Sequence, residues 1–401
     1  MKAGLQFWFK FSLLNLLVVA IIGLLMRYKI GFEFPYLNQK NLQFSHYHFA
    51  FYGWISHTLM VLMVHCLLMS DGSLNVRKFG PVFITNLIAS YGMLLSFIAF
   101  GYGVTAVVFS VIAIAASFWF SILYIKELKR AVINTIASKW FKAALLFNVI
   151  SAAGVFALAY MMLTKNVHQN EYLVSVYYFL HFQYNGWFFF ACMGLFMNYI
   201  NAQGQAYVVA YRLFFVSCIP AYFLSVLWLD LPLWLYVIVM LSALAQLWAW
   251  LLIIKQVLRA NHIIRNSLPF ILQYILLFVG TALSIKLLLQ LGSTIPVISK
   301  LAFGFRPVVI AYLHLVLLAI ITLFLLYYMY AVNILTTSRK VLLGLLLFSV
   351  GVLLNEVILA VQGVAAFTYT IVPLVNEALF IAALILVSGI GILYLYTIKK
   401  G

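Results

Sequence analysis

His48-Phe49-Ala50-Phe51-Tyr52-Gly53-Trp54 returns 133 positions later as His181-Phe182-Gln183-Tyr184-Asn185-Gly186-Trp187, with His-Phe, an aromatic residue and Gly-Trp in register. Another 133 residues on, His314-Leu315-Val316-Leu317-Leu318-Ala319-Ile320 keeps the histidine and little else. The same offset carries Asn15 onto Asn148. Each block lies inside a long apolar run, so whole helices are repeated together with the motif. Chance spacing is the competing reading, and two matching seven-residue blocks weigh against it. The 401 residues thus divide near 1–134, 135–267 and 268–401, three four-helix units within a single transmembrane domain, 1–401.

Composition says what surrounds these helices. The chain is 67% hydrophobic and 8% charged, with a mean hydropathy of +1.12, whereas about a quarter of a soluble domain is charged. A soluble enzyme is excluded. The 24 Lys+Arg against 7 Asp+Glu are scattered singly between apolar runs, so no basic patch offers itself to nucleic acid. Period-2 alternation is absent, which leaves an all-α polytopic bundle with the lipid bilayer as its partner. Twelve transmembrane helices are predicted, near 7–26, 44–69, 80–100, 102–125, 140–163, 174–199, 208–228, 231–254, 268–290, 306–330, 340–361 and 374–397. The faintest breaks are Gly101-Tyr102-Gly103, and Asp230 with Pro232. Cys66, Cys192 and Cys218 all fall in apolar spans and imply no disulfide framework. No C-x-x-C-H is present, so any haem is held non-covalently. Met1-Lys2 and the run Phe7 to Met26 read as a retained first span.

Orientation follows from the cations. With the amino terminus inside, seventeen lie on inner segments: Lys2, Lys10, Arg77, Lys78, Lys126, Lys129, Arg130, Lys139, Lys142, Arg212, Lys255, Arg259, Arg265, Arg339, Lys340, Lys399 and Lys400. Seven remain outside: Arg27, Lys29, Lys40, Lys165, Lys286, Lys300 and Arg306. This positive-inside bias puts both termini in the cytoplasm and the protein in the cell (inner) membrane.

A histidine in hydrocarbon is costly and is therefore a site candidate. Spans two, six and ten all enter from the outside, which predicts His46, His48, His181 and His314 at one level, in the first turns from the outer face. A metal or haem needs such a layer, because its ligands converge from different helices. His46 and His48 lie about 200° apart round a helix. One can pair with His314 across a haem, while the other shares a second metal site with His181; a helix–helix hydrogen bond is the alternative for each. His57, roughly 16 Å deeper than His46, and His65 extend a polar track and read best as packing or hydrogen-bonding residues. His168 and His262 read as solvated loop residues. Glu356 and Glu377, preceded by Asn355 and Asn376 near the outer ends of spans eleven and twelve, are candidates for proton delivery or metal ligation, or interfacial residues that reach water. Tyr184 and Asn185 are candidates to hydrogen-bond a substrate or ligand. Arg306 is a candidate to pair with a haem propionate.

Three four-helix arcs with histidines on spans two, six and ten resemble the catalytic subunit I of the haem-copper oxidase superfamily, which includes nitric oxide reductases. In length and span count the chain is also similar to NnrS-like haem membrane proteins. The resemblance covers the whole chain in topology, and in residues Ser45-Trp54, Tyr178-Trp187 and Arg306-Leu318. It implies that His46 or His48, with His314, ligates a low-spin haem, and that His181 binds a non-haem metal. The family's His-x-His belongs on helix ten and here stands on span two, and span seven has no His-His pair. A three-histidine copper site of the oxidase kind is therefore disfavoured. The resemblance implies one or two b-type haems, with copper or non-haem iron as a candidate second metal, and redox handling of nitric oxide or a similar small gas, leaning towards an oxidoreductase. Electrons would come from a separate quinol, cytochrome or partner subunit. The alternative is a proton-coupled transporter using the histidine and glutamate layer, against which stand the threefold repeat and the lack of paired, Gly/Pro-broken spans.

Overall fold

The computed structural model describes residues 3–72, 74–259 and 269–398. Lys2, His262, Arg265, Lys399 and Lys400 lie outside them. The described residues form helices and no strand: α1 (Ala3–Gly31), α2 (Gln39–Ser70), α3 (Gly80–Phe100), α4 (Val104–Leu128), α5 (Thr135–Thr164), α6 (169–199), α7 (Gln205–Cys218), α8 (Leu233–Arg259), α9 (Phe270–Gly292), a short α10 (Pro296–Gly304), α11 (Arg306–Ala331), α12 (Arg339–Phe367) and α13 (Val375–Ile398). Asparagine starts two of them, α2 and α5, by accepting the first orphan N–H groups. The Asn38 side chain accepts from Lys40 N and Asn41 N, and that of Asn134 from Ile136 N and Ala137 N. At Gly101 the backbone turns to φ +65°, which ends α3 at Phe100, where the expected break Gly101-Tyr102-Gly103 begins.

Ten of these helices are long and apolar enough to cross a bilayer, and the chain is a multi-pass membrane protein. Two of the twelve expected spans behave differently. Helix α6 is long enough, but Gln183, Asn185 and its tyrosines leave it less apolar than the ten. The expected span 208–228 is broken: α7 stops at Cys218, Pro220 opens a 3₁₀ segment Pro220–Val226, and the two pieces bend by 49°. Proline supplies no N–H and its ring clashes with the preceding turn, so the helix cannot continue through it.

The chain divides into two compact units, Met1–Val132 with Thr322–Gly401, and Ile133–Ile321. In the first, α2 is the central helix, the most apolar stretch of which is wholly buried. That explains a helix apolar all the way round. Helices α12 and α13 of this unit cross closely at Gly389, where a Cβ would lie 2.5 Å from Phe348 N, a small-residue contact of the kind membrane helices use. In the second unit α6 plays the central part, and residues 181–197 are all buried. It meets α5 at Gly154, where a Cβ would lie 2.6 Å from the Ser175 carbonyl.

The 133-residue spacing recurs in the backbone. Three π-helical segments, Phe49–Ser56, Phe182–Phe188 and Leu315–Thr322, begin directly after His48, His181 and His314. The third block, faint in sequence, thus has the same backbone form. A π turn shifts the hydrogen-bond register and presents carbonyls to side chains of neighbouring helices. The histidines lie deeper along their helices than the first turns. His48, His181 and His314 follow the helix starts by 9, 12 and 8 residues, about 14, 18 and 12 Å of helical rise, because α2 and α6 begin before the apolar runs do.

Candidate functional site

In the first unit, the His48 Nδ1–H donates to the Phe44 carbonyl at 2.8 Å, and the ring stacks on Phe97 with centroids 4.4 Å apart. This bond fixes the tautomer, so Nε2 carries the lone pair. Next door, His46 packs towards α1, its Cε1 lying 3.3 Å from where a Cβ would stand on Gly23. The π segment after His48 is held by amides from two helices. From α1, Asn15 donates to the Gly53 carbonyl at 2.6 Å and accepts from the Tyr91 hydroxyl at 2.8 Å. From α3, Asn86 donates to the Tyr52 carbonyl at 3.1 Å and lies 3.5 Å from His57 Nδ1. Trp54 Nε1 donates to the Thr322 hydroxyl at 3.0 Å. Replacing Tyr91 with Phe removes one bond of this set. It should lower the unfolding free energy in detergent by about 0.6 kcal/mol, up to about 1.7.

His57 is fully buried between Trp8, Phe83 and Asn86, and His65 packs its ring against Phe9. Both are packing residues, as their depth implies. Glu356 is half-buried on α12 and accepts from its neighbour Asn355 at 3.1 Å. Glu377 is exposed in the first turn of α13. The structure brings neither acid into hydrogen-bond contact with a histidine.

In the second unit His314 repeats the geometry of His48: its Nδ1–H donates to the Ile310 carbonyl at 2.8 Å. Two residues earlier, the Tyr312 ring meets Tyr184 edge-on at 6.4 Å, and the Tyr184 hydroxyl hydrogen-bonds Ser225. Arg306 is exposed at the start of α11, directly before Pro307. His168 is exposed at the start of α6.

His181 is arranged differently. It is wholly buried, its Nε2–H donates to the Cys218 carbonyl at 2.8 Å, and its Nδ1 accepts from the Asn185 amide at 3.1 Å. Both ring nitrogens are therefore occupied by protein. The cause lies in the broken span: with the helix interrupted at Pro220, Tyr222 N pairs with Ile219 O and leaves the Cys218 carbonyl to a side chain. This is the helix–helix hydrogen bond that competes with metal ligation for each histidine. Around it, Gln183 donates to Asn148 Oδ1 at 3.1 Å and to Ser151 Oγ at 2.7 Å.

No protein-family model and no curated protein matches the chain. What the site can do rests on its own chemistry. Among the described residues no three His, Cys, Asp or Glu side chains form a cluster. Two imidazoles, His48 and His314, stand in one and the same prepared conformation, and a third is committed to a hydrogen bond. Sequence reasoning missed the amide Asn86 and the acceptor carbonyl of Cys218, and it aimed Asn185 at a ligand where the structure has it donating to His181. Pro220 was the one visible signal for the last of these.

Proposed function

We propose that the protein binds b-type haem, one or two per chain, at Nε2 of His48 in the first unit, of His314 in the second, or of both, and handles nitric oxide or a similar small gas by redox chemistry or binding. The observation that supports this most is the shared geometry: each imidazole donates Nδ1–H to the carbonyl four residues back at 2.8 Å, immediately before a π segment. Such a bond orients the ring, selects the tautomer with a lone pair on Nε2 and raises its basicity. A neutral, oriented imidazole fits an iron ligand. Bound haem would supply the one-electron and gas-binding chemistry. The chain's own residues hold the rings: Phe97 stacks on His48, and Tyr184 packs beside the helix that carries His314. His181 is assigned to holding α6 against the broken span. On this reading, electrons come from a separate quinol, cytochrome or partner subunit, Glu356 and Glu377 supply protons from the outer side, and both termini face the cytoplasm of a cell (inner) membrane. The purified protein should show a Soret band; a preparation that stays colourless after haem loading overturns the proposal.

One observation favours the second reading, a transporter. The 205–226 region is a Pro-broken span, and discontinuous helices are a common feature of transport sites. Substrate uptake by haem-free proteoliposomes would establish it in place of the haem reading.

A further inference from the structure

In the sequence Lys286 reads only as one of the outer cations, yet it is buried on α9 at 5% exposure. Its Nζ lies 6.0 Å from the centroid of the Phe189 ring, and its polar neighbours are His181 and Cys218. The ion pairs among the described residues are Lys78–Glu127 and Arg130–Glu127, so no carboxylate balances this amine. Its unit contains two acids, Glu171 and Asp230, and both are exposed. The other candidates for a counter-charge hold their protons. The Cys218 thiol donates towards the Asn185 carbonyl at 3.9 Å, and the Tyr222 hydroxyl donates to the Val174 carbonyl at 3.1 Å. His181 is a neutral tautomer, because one nitrogen donates to a carbonyl and the other accepts from an amide. One turn along the same face of α9, Gln290 is also buried, and its Oε1 has no hydrogen-bond partner.

A cation in hydrocarbon is costly unless it is paired. Among the described residues no carboxylate partners it, whereas the Phe189 ring lies 6.0 Å away and an unsatisfied amide stands one turn along the same helix. We propose that Lys286 is the receiving group of a monoanion site in the second unit, with Gln290 as an adjustable amide beside it. The anion is either the carboxylate of an apolar chain entering from lipid or a small inorganic anion.

Titration of the full chain in zwitterionic nanodiscs with decanoate and, separately, with nitrite distinguishes the two sources. At least one probe should bind saturably at one per chain and raise the thermal midpoint of the folded protein. Lys286→Met should weaken that binding by about tenfold to a hundredfold, the value of a hydrogen bond to a charged group, whereas Lys286→Arg should retain it. The Met variant is expected to fold, since an apolar residue in place of an unpaired buried charge is neutral or stabilising. Equal affinity in wild type and Lys286→Met, or no saturable binding of either probe by folded wild type, overturns the proposal. Haem plays no part in it: a colourless protein that binds the anion removes the haem reading and leaves this one standing.

Discussion

The double variant His48→Ala/His314→Ala should lose bound haem, with Soret absorbance per mole of folded protein falling to background. Partners that merely orient a ligating histidine are worth about tenfold to a hundredfold in metal affinity, so removing the imidazoles themselves should cost at least that. The haem-to-protein ratio of the wild type reports whether one haem or two are present. His168→Ala, which alters an exposed loop histidine, should leave the spectrum unchanged. Because the His48 Nδ1–H bonds a main-chain carbonyl, no side-chain substitution removes that partner. Phe97→Ala instead strips the stacked ring and should broaden or shift the band without abolishing it. A Soret band that survives in the double variant would place the haem elsewhere or remove it from the protein's function.

Much of the helix pattern was readable because a bilayer imposes it. Runs of apolar residues separated by charges or Gly101 became helices within a few residues of the expected bounds, since unpaired backbone in lipid is not tolerated. The departures have particular causes. The expected span 208–228 looked continuous because its composition is apolar on both sides of Pro220, although that proline breaks it into two pieces bent by 49°. The π segments leave no compositional trace at all: Leu315–Thr322 is wholly ordinary in sequence, yet it adopts the same backbone form as Phe49–Ser56. Only the spacing of 133 between histidines pointed to it. The burial of Lys286 is hidden for a related reason, since a cation near a helix end counts towards topology whether it faces water or the protein interior. Its burial depends on α6 and α7, and no local pattern states that.

The role of His181 separates most sharply in a stability experiment. His181→Phe keeps an aromatic of similar size in a wholly buried position but strands the Cys218 carbonyl and the Asn185 amide, both of which it now satisfies. Each stranded group should cost about 1–3 kcal/mol of unfolding free energy, while haem content stays unchanged. His181→Gln, which can still donate, should recover part of the loss. A metal ligand would behave otherwise, because both substitutions would then lower bound copper or iron in step with activity. The Pro220→Ala background adds a test of cause. If the proline frees the Cys218 carbonyl by forcing the 3₁₀ segment, restoring a continuous helix lets Tyr222 N pair with that carbonyl instead, and His181 loses its acceptor. The cost of His181→Phe should then shrink in that background, giving a coupling energy of the size found between contacting residues, about 0.5–3 kcal/mol. An unchanged cost would mean that the break at Pro220 and the hydrogen bond of His181 merely coincide, and would reopen His181 as a ligand.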